Sequence, residues 1–187
     1  TSRYSMADWI SFSPREITIP AGSRTKVNYT LKVPPNASGG YYGVLFFEGG
    51  ERKRDDRTGV NIITRIGSLF FMELADKDKT SHVKNIRLNK NRIEGVLENN
   101  GNIVIFPRGI YYIMDEEGLV VERGEMEKIY LPPDNEADFA ISLPDTLDPG
   151  RYDFVLTFDL KEGYNVVKEV AFSKRGHATL EMLEVKD

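Results

Sequence analysis

The sequence predicts an all-β protein made of two tandem immunoglobulin-like β-sandwich domains, the first of which lacks its N-terminal strands. Two observations lead to this prediction. Residues 27–47 return as residues 137–157 with the same alternation, turn and aromatic positions, which indicates a duplicated module. Alternation of apolar and polar side chains with a period of two is typical of half-buried strands, and no helical period competes with it in either copy.

The repeat consists of a strand, a turn and a second strand. The first strand runs into Pro34 in one copy and into Pro144 in the other, and Gly40 and Gly150 then open the second strand. Proline, asparagine and glycine fill the turn, because these residues accept the backbone angles that a reversal needs. The matching apolar side chains of the first strand are Val27, Tyr29, Leu31 and Val33 in one copy and Ala137, Phe139, Ile141 and Leu143 in the other.

The first module has room for about five strands. Its first 20 residues contain two short strands, near residues 10 and 18, that are each closed by a proline. A period-two strand is predicted at 25–33, and the apolar run at 41–48 is typical of a central strand that is covered on both sides. A long strand at 60–74 is interrupted by Gly67, where we expect a β-bulge.

The second module has more strands than the first. Strands are predicted at 83–88, 93–98, 103–114 and 119–122 ahead of the repeated part, and 165–173 closes the sandwich. An immunoglobulin-type sandwich needs seven strands in roughly 100 residues, so the first module is short of two or three. We expect the missing strands to lie upstream of this sequence in a longer protein.

The repeat also suggests domain boundaries. The sequence predicts an incomplete sandwich at 1–76, a polar linker at 77–81, a complete sandwich at 82–175 and a tail at 176–187. The tail alternates apolar residues with glutamates and suits either an extra strand or one amphipathic turn. As a strand it could cover an open sheet edge. An incomplete first module could also exchange strands with a second copy, which would give a dimer.

Several side chains receive a structural interpretation. Trp9 is interpreted as a core tryptophan, and Tyr42 and Tyr152, which match in the repeat, as corner tyrosines whose hydroxyls bond back to the chain. Residues 99–101 indicate a tight turn with positive φ, and 115–118 indicate a hairpin tip.

Composition excludes some classes of function. The net charge of −4 gives no general attraction to nucleic acid. The longest apolar runs are about eight residues, short of the roughly 20 that a membrane helix needs, so no transmembrane segment is predicted in this chain. The sequence has no cysteine, which excludes disulfides, thiolate metal sites and cysteine nucleophiles.

Residues that could support catalysis or metal binding are few. His82 and His177 lie beside the predicted linker and tail and form no ligand-spaced pair. Asp76 and Asp78 could bind calcium, but the twelve-residue loop pattern is absent and solvated charge is the better interpretation. The charged segment at 51–58 is interpreted as a solvated hairpin tip. We therefore predict no enzyme activity, no cofactor and no metal site, and a hydrolase with an unseen carboxylate pair is the least supported hypothesis.

A pattern of apolar residues, prolines and glycines runs through both modules and suggests a resemblance to known proteins. Its residues in the first module are Ser5, Trp9, Ile10, Ser13, Pro14, Ile17, Ile19, Pro20, Gly22, Val33, Pro34, Gly40, Tyr41, 44–47, Ile63, Arg65 and 69–74, and in the second module Leu97, Asn99, Gly101, Ile113, Asp115, Gly118, Leu131, Leu147, Gly150 and Tyr152. With these residues, the segment 5–74 resembles the latter half of the first domain in the periplasmic pilus-chaperone superfamily. It is also similar to cell-surface WxL-interacting proteins, in which two immunoglobulin-like domains follow one another, and the second module resembles the domain that follows in such proteins.

The resemblance implies a function in protein assembly. In the chaperones, a long edge strand completes a subunit that lacks a strand, and basic residues hold the terminal carboxylate of the subunit. The matching strand here is 60–74. Arg65 falls where the family carries one basic residue, with Ile63, Leu69 and Phe71 as apolar partner-binding residues. Alternatively, Arg65 is a structural or surface arginine that interacts with groups of its own domain and does not bind a partner.

The sequence thus favours a non-enzymatic bacterial envelope protein, periplasmic or at the cell surface. It would bind other envelope or surface proteins as a strand donor or acceptor. The alternative is a cell-surface adhesion or glycan-binding module, in which exposed coplanar aromatics stack on sugar rings. The aromatic residues available for such a platform are Trp9, Phe12, Tyr41, Tyr42, Phe46 and Phe47.

Overall fold

The computed structural model describes residues 2–49, 63–176 and 179–186. Within this part of the chain the regular structure is β-strand, apart from one turn of 3-10 helix at Ala7–Trp9. The predicted all-β class is therefore confirmed. The features predicted from sequence that lie outside the described residues are the hairpin tip at 51–58, residues 60–62 of the predicted strand at 60–74, and His177.

The chain divides into two compact units, 1–76 and 77–187. In the described part of the first unit, four strands form two antiparallel pairs, β1 with β2 and β3 with β4. The strands of this unit are β1 (Ile10–Ser13), β2 (Asn28–Leu31), β3 (Gly40–Glu48) and β4 (Arg65–Glu73).

Three strand predictions in the first unit are corrected by the structure. Residues 14–27 form no strand, and β2 is shorter than the predicted 25–33. Pro14 and Pro20 lack the N–H that a ladder needs, and no described strand lies beside this segment to pair with it. The run at 41–48 does form β3, but it belongs to a two-stranded sheet in the described residues and is not a covered central strand.

The expected bulge at Gly67 is also wrong. The register of β3 with β4 runs without a break from Gly40 opposite Glu73 to Glu48 opposite Arg65. Gly67 lies opposite Phe46, and a Cβ at Gly67 would come within 3.2 Å of the Phe46 ring. The glycine therefore makes room for an aromatic ring and leaves the strand regular.

The core of the first unit is small and aromatic. The Phe70 ring lies between the two sheets, 6.1 Å from the Phe12 ring and 5.5 Å from the Tyr29 ring. Trp9 packs on Tyr41 with ring centroids 4.1 Å apart. Among the described residues of this unit, Met6 is the one large apolar side chain that is fully buried.

The second unit is an immunoglobulin-like sandwich. Its described strands form one sheet in the order β5-β6-β9 and a second in the order β12-β11-β10-β7-β8. The tail of the chain is thus a strand, and it covers the edge of β11. The strands are β5 (Ser81–Asn89), β6 (Arg92–Asn99), β7 (Arg108–Met114), β8 (Val120–Glu125), β9 (Glu136–Ser142), β10 (Gly150–Asp159), β11 (Asn165–Arg175) and β12 (Thr179–Lys186).

Alternating side chains of both sheets fill this sandwich. The Phe139 ring on β9 meets the Phe158 ring on β10 edge-on at 5.4 Å, which joins the two layers. Burial of such side chains contributes about 1.5–3 kcal/mol each relative to exposure, so the core accounts for the stability of the unit. The largest fully buried apolar side chains are Phe154, Phe158, Phe172, Ile93, Leu97, Ile103, Ile113, Leu131, Leu156 and Val170.

The turn before β10 is held by a tyrosine corner, as predicted for Tyr152. The Tyr152 hydroxyl donates to the Asp148 carbonyl oxygen at 2.8 Å, and burial of the ring raises the pKa of this hydroxyl. The buried Lys174 ammonium donates to the carbonyl oxygens of Asp145 at 2.7 Å and Leu147 at 2.5 Å. Two side chains from the sheet therefore fix one turn.

Asn99 has a different role from the one predicted. None of residues 99–101 has positive φ, so the interpretation as a tight left-handed turn is wrong. The side chain of Asn99 is fully buried, and its Nδ2 donates to the carbonyl oxygens of Ile103 at 2.9 Å and Leu131 at 3.0 Å. Its Oδ1 accepts from the Gly101 N–H at 3.0 Å. The Asn99 side chain thus bonds backbone groups that lie outside the strands, beyond the end of β6.

Residues 77–81, suggested as a linker from sequence, are bonded to the second unit. The Asp78 N–H donates to Asn102 Oδ1 at 2.7 Å, and Lys79 is buried with its Nζ donating to the Leu160 carbonyl oxygen at 3.1 Å. A Cβ at Gly101 would lie 2.3 Å from the Asp78 carbonyl oxygen, so glycine is required for this close approach.

Replacing Asn99 tests its role as a buried clamp. We expect Asn99→Ala to lower the stability of the second unit by about 2–3 kcal/mol, because it removes the hydrogen bonds to the Ile103 carbonyl oxygen and the Gly101 N–H and one of the two donors to the Leu131 carbonyl oxygen. Asn100→Ala, which alters an exposed side chain, should cost less than about 0.5 kcal/mol. Hydrogen exchange of the slowest β10 amides gives both values, and equal values would contradict the clamp.

Candidate partner-binding surface

The two copies of the repeat differ by one residue at the start of β3. In the second unit Tyr152 and Phe154 face the core. In the first unit Phe70 faces the core and pairs with Gly43, so Gly43 and, two residues earlier, Tyr41 share this inner face. Tyr41 therefore takes the place of Tyr152.

The interpretation of Tyr42 as a corner tyrosine is consequently wrong. Its hydroxyl lies 3.4 Å from the Ser2 Oγ, a side chain on another segment. A shift of one residue moves every side chain of a strand to the opposite face. The adjacent Tyr41 and Tyr42 hide this shift in the sequence, because either can be aligned with Tyr152.

The opposite face of the β3–β4 hairpin, which we call the outer face, is apolar and exposed. It consists of Tyr42, Val44 and Phe46 on β3 and Leu69 and Phe71 on β4, which are cross-strand neighbours. Exposure is 44% for Val44, 47% for Phe46, 60% for Leu69 and 43% for Phe71. The corresponding outward positions of β10 are mainly polar, namely Arg151, Asp153, Val155, Thr157 and Asp159.

The predicted partner-binding residues lie on the outer face or next to it. Leu69 and Phe71 belong to it, Arg65 lies at its end on the same side of β4, and Ile63 precedes β4 and is 52% exposed. Sequence reasoning missed the β3 half of the surface, because an unbroken apolar run reads as a buried strand. The polar residues at the outward positions of β10 were the signal in the sequence that this face of the strand is exposed.

Arg65 is engaged within the hairpin. Its Nε lies 2.9 Å from Glu48 Oε1, and its guanidinium lies 3.9 Å from the centre of the Phe46 ring. Both charged side chains are more than half exposed, so the ion pair contributes little to stability. A partner carboxylate that bound Arg65 would have to compete with Glu48.

The polar backbone groups of β3 alternate between two edges. The Gly49 N–H donates to the Thr64 carbonyl oxygen at 2.9 Å, and the Leu74 N–H donates to the Gly39 carbonyl oxygen at 2.8 Å. Odd-numbered residues of β3 thus bond to β4, and even-numbered residues point to the other edge.

That other edge is occupied only at its start in the described residues. The Tyr42 N–H donates to the Tyr4 carbonyl oxygen at 2.9 Å, and the Met6 N–H donates to the Tyr42 carbonyl oxygen at 3.1 Å. Beyond this point no strand of the described residues pairs with this edge, at which the backbone N–H and C=O groups of Val44, Phe46 and Glu48 lie. The outer edge of β4 likewise borders no strand in the part of the chain that the structure describes.

A second open edge lies on β2. The Lys32 N–H donates to the Trp9 carbonyl oxygen at 2.8 Å, whereas in the second unit it is the Leu143 N–H that donates to Asn91, at 2.7 Å. In the repeat, Lys32 of β2 corresponds to Ser142 of β9, which precedes Leu143. Adjacent residues of a strand direct their N–H groups to opposite edges, so β1 lies on the edge of β2 opposite to the edge at which β6 pairs with β9. The β6-like position beside β2 has no strand among the described residues.

The described residues show no cluster of metal-ligating side chains and no buried carboxylate. No group of three His, Asp or Glu side chains suited to a metal ion is found among them. Their buried polar side chains are Lys79, Ser81, Asn99 and Lys174, without a carboxylate. His82 is exposed and lies 2.7 Å from Asn100 Oδ1. A general acid needs a raised carboxyl pKa, but lysine partners lower the pKa of Glu162.

No protein family and no curated protein matches this chain. Among solved structures, the chain is similar to the rat CD45 extracellular region, domains d3-d4, with 15% identity over 85% of this chain and 99% of that chain, at a TM-score of 0.30. A likeness at this level carries no argument about function. No helix among the described residues is long and apolar enough to cross a bilayer.

Substitution on the two faces of β4 tests which face is free. We expect Leu69→Lys to lower binding of a hydrophobic dye and to change stability by less than about 0.5 kcal/mol, because its side chain is exposed. Phe70→Ala on the inner face should cost more than about 1 kcal/mol. Trp9 is the single tryptophan and packs on Tyr41, so its fluorescence reports unfolding of the first unit. The opposite ranking would contradict the face assignment.

Proposed function

We propose that this chain is a non-enzymatic protein-binding component of the bacterial envelope. It acts as a pilus-chaperone-like or surface-assembly protein that joins its partners by β-strand addition. The observation that carries the proposal is the β3–β4 hairpin, which combines open strand edges with an exposed apolar outer face. Strand addition uses these features together, because main-chain hydrogen bonds give affinity and side-chain contacts give specificity.

The edges of this hairpin lack the usual protection against pairing. Natural edge strands carry charges, prolines or bulges that prevent association. The central part of β3, residues 43–47, has none of these, and neither does the stretch 66–72 of β4. The charged residues of the two strands stand at the ends, with Glu48 and Arg65 at one end and Glu73 at the other. An unprotected apolar edge of this length supports a role in pairing with another strand.

The location in the bacterial periplasm or at the cell surface rests on resemblance. The segment from Ser5 to Leu74 is similar to pilus chaperones and WxL-interacting proteins, both of which work outside the cytoplasm. The partners on this proposal are other envelope or surface proteins that donate or accept a strand.

The glycan-binding alternative is less well supported by the geometry. A sugar platform needs exposed aromatic rings in one plane. Tyr41 and Tyr42 point to opposite faces of β3, and the planes of Trp9 and Tyr41 are inclined by 51°. These three aromatics therefore form no flat surface.

Peptide binding tests strand addition. We expect fluorescein-labelled nonapeptides with apolar residues at every second position to bind the protein, as measured by fluorescence anisotropy. Peptides of the same composition with their apolar residues in one block should bind at least about tenfold more weakly, a difference of about 1.4 kcal/mol, because they cannot present one apolar face as a strand.

Proline substitution separates edge pairing from side-chain contact. Phe46→Pro removes an N–H at the free edge of β3, and Leu69→Pro removes one at the free edge of β4, without breaking a bond between the two strands. At least one of them should abolish binding, while Phe46→Ala and Leu69→Ala, which keep the N–H, should weaken it less. If the peptides with their apolar residues in one block bind as well as the alternating peptides, or if no alternating peptide binds, strand addition is wrong.

A further inference from the structure

We infer that the partner strand enters at the free edge of β3, antiparallel to it and opposite residues 44–48, and places an apolar side chain between the two sheets. The inference rests on the proposed function and specifies the partner: an extended segment of another polypeptide with apolar residues at every second position. Two observations carry it: the strand that the corresponding edge of β10 receives in the second unit, and an apolar recess beside the edge of β3 in the first unit.

The second unit shows what this edge accepts. There β7 lies antiparallel beside β10, with Val155 opposite Tyr112 and Phe154 opposite Ile113. Ile113 is completely buried. Because Tyr41 corresponds to Tyr152, the edge of β3 that carries Val44 and Phe46 is the edge at which β10 receives β7.

An apolar recess lies beside this edge, inside the first unit. Its volume is about 230 Å³, and its walls include Met6, Ile10, Phe12, Gly43, Leu45 and Phe70. Small-molecule sites usually have about 300–1,000 Å³, so this recess suits one or two side chains of a peptide. Its walls carry no charged side chain.

The recess favours the edge of β3 over that of β4. A strand beside β3 would direct alternate side chains into the recess, under β1 and β2, as Ile113 of β7 is directed into the second sandwich. The outward side chains of the same incoming strand would lie beside Val44 and Phe46 and extend the outer face.

Amide hydrogen exchange of the ¹⁵N-labelled protein locates the entry edge directly. Two probes are used: a peptide with the sequence of residues 106–116, which contains β7, and an alternating nonapeptide that binds in the anisotropy assay. We expect a saturating probe to slow exchange of the Val44, Phe46 and Glu48 amides at least about tenfold, and to leave the Gly67 and Leu69 amides unchanged. The 106–116 peptide with Ile113→Asp should bind at least about tenfold more weakly, because its charge would enter the recess.

Each other outcome overturns the inference in a distinct way. Protection of Gly67 and Leu69 instead of the β3 amides places the strand at β4 and leaves the proposed function intact. Binding of neither probe removes both the inference and the proposed function. Protection without peptide that rises with protein concentration assigns the edge to a second copy. Protection without peptide that is independent of concentration assigns the edge to a strand of the same polypeptide.

Discussion

The pairing of strand edges determines what differs between the two units. In the second unit β10 is bonded on both sides, by β7 and β11, and the layer of β5, β6 and β9 covers its inner face. Every inner side chain from Tyr152 to Phe158 is then buried. In the first unit β3 has β4 on one side and, among the described residues, 4–6 on the other. A strand that covered the rest of this edge would have to supply partners for its backbone groups, since a buried backbone group without a partner costs about 1–3 kcal/mol. The first unit correspondingly has a small core and an apolar recess beside β3.

The sequence was informative where structure depends on local pattern. Alternation predicted the all-β class, and the repeat predicted that Gly40 and Gly150 would open corresponding strands, as they do in β3 and β10. Both signals reflect the period of the extended backbone, which neighbouring residues determine. The face of β3 was not predictable in this way. A slip of one residue in the turn exchanges the two faces, and Tyr41 followed by Tyr42 satisfies either register. Only the contact of Phe70 with Tyr29 decides it.

The same limit applies to the candidate site. The resemblance points to the strand of Arg65, Leu69 and Phe71 and so predicts these residues, whereas the apolar run that contains Val44 and Phe46 predicts a covered strand and offers Phe46 for an exposed surface only in the glycan-binding alternative. An apolar side chain favours burial, but the sequence does not show whether a neighbouring element is present to bury it. Asn99 shows the converse case. An Asn-Asn-Gly sequence is a turn signal, but the side chain of its first asparagine is buried. It donates hydrogen bonds to two carbonyl groups, one four residues and one 32 residues further along the chain.

The outer face and the free edge of β3 are perpendicular surfaces of the same residues. The backbone of Val44 and Phe46 presents the edge, and their side chains present the face. A strand that pairs with β3 must therefore satisfy two environments at once, since one set of its side chains enters the recess and the other continues the outer face. If the outward set is polar, the apolar surface ends at the new strand. If it is apolar, the exposed patch grows and needs a further cover, because large apolar patches associate in water. The outward side chains of the incoming strand thus decide whether assembly stops at one partner.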